Sequence, residues 1–88
     1  MSEFDTKFSQ AKKEELVDIL FTKKILPDFG FEIDRVSYED GCKVFFKNGG
    51  WIIARFSGTE PLLRIFCEMD DMETAKQVTN VWVKSLGL

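Results

Sequence analysis

The sequence predicts a single α+β domain: an antiparallel four-stranded meander with two helices on one face, plus a short extra N-terminal edge strand if residues 1–8 are ordered. Three observations predict it. The chain has 88 residues, and a chain this short buries only ~60–65% of its unfolded surface, enough for one modest core. Apolar residues recur at helical spacing over 9–24 and 70–86, and with a period of two between Phe31 and Met69. Asp40-Gly41 and Asn48-Gly49 fall between apolar runs, the strongest short-range signal for a hairpin.

Met1 to Phe8 fits two readings. Phe4, Thr6 and Phe8 alternate with Asp5 and Lys7, the pattern of an edge strand, and a frayed terminus fits equally well. Ser9 to Lys24 is the first helix, with Ser9 as N-cap. Leu16, Val17, Leu20 and Phe21 make its apolar stripe, and Lys23 and Lys24 suit its negative end. Pro27, Asp28 and Gly30 stop it. Strands follow at Ile33–Tyr38, Cys42–Lys47, Trp51–Phe56 and Leu62–Cys67. Val44 and Phe46 share a face; Leu63, Ile65 and Cys67 share one face of the fourth strand, with Arg64, Phe66 and Glu68 on the other. Asp70 to Leu86 is the closing helix, with Asp70-x-x-Glu73 as a capping box. Met72, Ala75, Val78, Trp82 and Leu86 form its buried face, and Gly87-Leu88 reads as a chain end.

Composition narrows the function. The net charge is −3 and no segment is strongly basic, which argues against nucleic acid as a partner. There is no histidine, so histidine acid–base catalysis and histidine metal sites are excluded. Cys42 and Cys67 lack Cys-x-x-Cys spacing and read as buried thiols of a reducing, cytoplasmic compartment. No apolar run approaches the ~20 residues that span a bilayer, so no membrane is expected as a partner. Lys43 and Lys47 alternate with apolar residues and read as solvated charges.

The chemistry concentrates in Arg55-Phe-Ser-Gly-Thr-Glu-Pro-Leu-Leu-Arg64. It reads as strand, tight loop, strand. A hairpin brings Arg55 and Arg64 together at the mouth of the loop, where like charges repel. Glu60 offsets one of them; a bound anion offsets both. Ser57 and Thr59 supply hydroxyls, Gly58 permits close approach, and the loop supplies backbone N–H groups. Read singly, Arg55 also fits a strand-end arginine that snorkels or pairs with Glu60 or Glu68, and Arg64 fits a cross-strand ion pair. Ser57 and Thr59 fit plain turn residues, and Pro61 fixes φ at the loop exit.

This stretch resembles the C-terminal phosphate-binding loop of the phosphohexomutases, the family of phosphoglucomutase, phosphomannomutase and phosphoglucosamine mutase. Ser-Gly-Thr-Glu-Pro, with one arginine two residues before it and another three residues after the proline, carries the resemblance; Gly49-Gly50-Trp51, Glu68 and the closing helix agree with it. The resemblance covers roughly this whole chain but only the last part of a full-length mutase, which makes residues 1–88 a C-terminal domain of a larger enzyme. It implies a TATA-box-binding-protein-like topology, a statement of fold and not of DNA binding. It also implies that Arg55, Ser57, Gly58, Thr59 and Arg64 bind the phosphate of a phosphosugar, with Glu60 and Pro61 in support. The phosphoserine donor and a Mg²⁺ ion are implied for the full-length enzyme. No segment here resembles either site, so neither a catalytic residue nor a cofactor is expected in this chain, and the remaining domains of the parent chain are its expected partners. A reading from another class competes: a free-standing anion- or protein-binding domain that is not part of an enzyme. The length of the parent reading frame discriminates the two.

Overall fold

The period-two segments build one five-stranded antiparallel sheet. The computed structural model describes residues 2–57 and 61–88. The strands are β1 (Ser2–Lys7), β2 (Ile33–Ser37), β3 (Cys42–Phe46), β4 (Trp51–Phe56) and β5 (Leu62–Glu68), in the order β1-β5-β4-β3-β2. Residues 2–7 therefore form the edge strand, paired with β5 from Ser2↔Cys67 to Lys7↔Leu62. The other strands run as the meander expected from the two Gly-containing turns. A helix α1 (Gln10–Val17) and a helix α2 (Met72–Ser85) complete the fold.

Alternation divides the sheet into two unlike faces. Cys42, Val44, Phe46, Ile52, Ala54, Leu63, Ile65 and Cys67 are buried. They share one core with Leu16 and Leu20 from the first helical segment and with Ala75, Val78, Trp82 and Leu86 from the second. Burying a side chain of Leu or Ile size contributes about 1.5–3 kcal/mol. Trp82 is fully buried, and Phe29 meets it edge-on at 5.5 Å while also meeting Phe46 at 5.5 Å. The opposite face keeps Phe45, Trp51, Ile53 and Phe66 half-buried and Arg55 and Arg64 exposed.

Several details differ from the sequence reading. The first helix does not run as regular α-helix to Lys24: Asp18–Thr22 is a π-turn, in which the Lys23 N–H donates to the Asp18 carbonyl at 2.7 Å. Lys24, at φ 55°, then ends it. Ser9 is the N-cap as expected, accepting from the Lys12 N–H at 3.2 Å. The closing helix is capped by Asp71 and not Asp70: the Asp71 carboxylate accepts from the Thr74 N–H at 2.7 Å and from the Thr74 hydroxyl at 3.0 Å. The frame moves by one residue because Thr74 gives the Asp71 carboxylate two donors. This puts Met72 in the first turn, 45% exposed, and outside the buried face expected for it; Thr79 occupies that face instead, donating to the Ala75 carbonyl at 2.8 Å. β2 carries a bulge between Ile33 and Arg35 and ends one residue before Tyr38.

Candidate anion-binding site

Register decides where the arginines meet. Arg55 and Arg64 are paired directly across β4 and β5, which places their Cβ atoms about 4.5–5.5 Å apart on one face. Both are exposed. The next pair toward the loop is Phe56↔Leu63, and the Ser57 N–H donates to the Leu62 carbonyl at 2.9 Å, closing the hairpin's mouth. Alternation returns Ser57 to the arginine side of the strand. The arrangement offers two forked cations at the base of a loop, a geometry suited to the oxygens of a phosphate dianion.

The base of the loop is held from two sides. The Phe8 N–H donates to the Pro61 carbonyl at 3.1 Å. Beneath it Phe56 packs edge-on against Phe8 at 6.0 Å and at a tilt against Phe21 of the π-turn at 6.1 Å. Phe8, just after β1, and Phe21 of the π-turn thus brace the backbone that carries Arg55 and Ser57. Gly58, Thr59 and Glu60 lie outside the described residues, and so do the roles expected of them.

Compensation of the like charges comes in part from an unexpected residue. Asp5 of β1 stands opposite Arg64, with its Oδ1 4.0 Å from Arg64 Nε. The pair is half exposed on both sides, and such pairs contribute at most about 1 kcal/mol. Arg55 makes no ion pair among the described residues, with Glu68 or any other. The alternation of Phe4, Asp5 and Thr6 held the signal for Asp5, but the identity of its partner depends on β1 lying next to β5.

Other candidate chemistry falls away from this end. Burial pushes the Cys42 and Cys67 thiols up to about 11, so both stay protonated at neutral pH and neither is a ready nucleophile. Lys43 is not simply solvated: its Nζ sits 4.5 Å from the Trp51 ring centroid and 4.9 Å from that of Phe45. Lys47 pairs with Glu32 at 3.2 Å. Among the described residues no group of three His, Cys, Asp or Glu could hold a metal ion, and no helix is long and apolar enough to cross a membrane. Two surface concavities, one along α1 and one between β1 and α2, include neither arginine.

Residues 6–82 match the family described as phosphoglucomutase/phosphomannomutase, C-terminal domain. A phosphoglucomutase/phosphomannomutase of Thermococcus kodakarensis is 40% identical over 57 residues, which is 65% of this chain and 12% of that protein. The chain thus corresponds to a small part of its relative's length. A match running from within β1 to within α2, and including the arginine hairpin, shows that the chain belongs to the phosphoglucomutase/phosphomannomutase C-terminal domain family.

Proposed function

We propose that this domain grips the non-transferring phosphate of a hexose phosphate, within an enzyme that interconverts hexose 1-phosphate and hexose 6-phosphate. The observation that carries the reading is the Arg55–Arg64 pair, directly opposed on an exposed face at the mouth of the loop. Two like charges held together without full compensation are unfavourable in the empty domain, and a phosphate dianion relieves this while satisfying both guanidinium forks. Ser57, Gly58 and Thr59 complete the set as hydroxyl and N–H donors, with Glu60 and Pro61 in support. The domain's contribution is positioning the sugar and excluding water as the cleft closes. The phosphoryl donor and a Mg²⁺ ion, which neutralises charge on the transferring group, belong to the remainder of a longer cytoplasmic chain. Glucose, mannose and glucosamine phosphates are all compatible with this loop.

Phosphate binding by the 88-residue chain tests the reading. With the rest of the cleft absent, a Kd on the order of 1 mM is expected, about −4 kcal/mol. At ~10 mM phosphate, linkage gives RT ln 11, roughly 1.4 kcal/mol, or about 6–11 °C in Tm for a domain of this size. Sodium chloride at matched ionic strength is the control, because salt alone screens the arginine pair. Equal behaviour of phosphate and chloride overturns the proposal.

A further inference from the structure

The turn between β2 and β3 lies at the same end of the sheet as the arginine hairpin, because Cys42 pairs with Ala54. There the backbone of Gly41 closes onto β4. A Cβ placed on Gly41 lies 2.6 Å from the Ala54 carbonyl oxygen, 3.0 Å from Arg55 Cβ and 3.2 Å from Arg55 Cα. The obstructing atoms are backbone and the root of a side chain, none of which swings away as a flexible side-chain end does. Gly41 also has φ +138°, a conformation that favours glycine. The second requirement alone explains a turn glycine; the first ties this glycine to Arg55. Gly49, in the turn between β3 and β4, separates the two. It shares the positive φ, at +94°, but nothing lies within 4 Å of a Cβ built there.

We propose that Gly41 is a positioning residue for the phosphate site: its missing side chain lets the β2–β3 turn seat against the backbone of Arg55 and so fixes the origin of that guanidinium. The inference rests on the phosphate reading above. Displacing the turn by the distance a methyl group needs moves Arg55 relative to Arg64 and Ser57, and ligand geometry tolerates little such movement. Loss of one charge-assisted hydrogen bond to the phosphate weakens binding by roughly ten- to a hundredfold.

The experiment is titration of the 88-residue chain with inorganic phosphate at constant ionic strength, read by amide NMR, with Tm measured in parallel. In the wild type the amides of Gly41, Arg55 and Ser57 should shift with one Kd while that of Gly49 stays still. Gly41→Ala and Gly49→Ala should both lower Tm, since both meet a left-handed φ. Gly41→Ala should weaken phosphate about tenfold or more, and Gly49→Ala less than about twofold. On an Arg55→Ala background, Gly41→Ala should add almost nothing to the loss of affinity, because the two act through one group. Wild-type affinity in a folded Gly41→Ala chain overturns the inference, as does a full additional loss in the double variant. Should Gly41→Ala fail to fold, the wild-type titration decides: a silent Gly41 amide beside shifting Arg55 and Ser57 amides overturns it. If no amide responds in the wild type, the phosphate reading itself fails, and this inference with it.

Discussion

Arg64 stands between charges of opposite sign, with Arg55 across one strand pair and Asp5 across the other. The carboxylate lowers the repulsion in the empty hairpin and, by the same token, competes with an incoming anion. At ~7 Å in water two unit charges interact with about 0.6 kcal/mol, and a unit charge with a dianion about twice that, so Asp5→Asn should tighten phosphate by roughly five- to tenfold at low ionic strength. At ~0.5 M salt the gain should vanish by screening; an affinity unchanged at low salt would remove Asp5 from the site's field. Arg55 has no such counter-charge among the described residues. In a full-length enzyme, Arg55→Ala should remove a charge-assisted hydrogen bond worth about 1.5–3 kcal/mol and lower kcat/KM by about ten- to a hundredfold. Unchanged kinetics would exclude Arg55 as a ligand. Trp82 shows the opposite economy: it is fully buried, and its indole N–H has no hydrogen-bond partner among the described residues, so its packing outweighs an unsatisfied donor. Trp82→Ala should cost about 3–5 kcal/mol, seen as a collapse of the urea midpoint.

At the scale of elements, the two N-caps differ in what they add. Ser9 is neutral, whereas the Asp71 carboxylate accepts from the backbone N–H and hydroxyl of Thr74, and these bonds hold its pKa below the usual carboxylate value. A group whose pKa is lower in the folded than in the unfolded state stabilises fully above the unfolded pKa. That contribution is lost as pH falls through the folded value. Asp71→Ala should therefore lower Tm at neutral pH, and the difference from wild type should shrink on acidification below the ordinary carboxylate range. Asp70→Ala should change Tm little at any pH, because Asp70 caps nothing. Thermal scans of both variants across pH separate the two aspartates. Strand β1 is an element of a different kind: it covers the edge of β5 that would otherwise present unpaired backbone groups, and it carries Asp5 to Arg64.

For the molecule as a whole, the radius of gyration of 12.3 Å matches the ~12 Å expected of a compact domain of this length. The core joins both helical segments to β3, β4 and β5, and Phe4 of β1 and Ile33 and Val36 of β2 pack against it, so the sheet and its helices are expected to melt as one unit. The Arg55–Arg64 pair stands on an exposed face, and the relative the chain resembles is far longer. The pure 88-residue chain should accordingly bind phosphate weakly and show no conversion of glucose 1-phosphate to glucose 6-phosphate in a coupled assay. Measurable turnover would place the phosphoryl-transfer machinery within these residues and overturn the division of labour.

The local physics was legible in the sequence. Period two, Asp-Gly and Asn-Gly turns and the spacing of Arg55 and Arg64 determined the meander, its core face and the opposed arginines, because alternation and hairpin register are short-range properties. Ser9 as a cap and Trp82 as core were legible for the same reason. The partner of β5 was not: residues 2–7 carried an edge-strand pattern, but which edge they join depends on the chain crossing the molecule, and this alone brought Asp5 to Arg64. The cap of α2 fell on Asp71 because two donors from Thr74 outweighed a one-residue difference in frame. The π-turn at Asp18–Thr22 interrupts a stripe that reads as plain α-helix, and it carries Phe21 to Phe56 under the loop. Gly41 read as a turn residue. Only the packing of that turn against β4 shows that its missing side chain makes room for the backbone of Arg55.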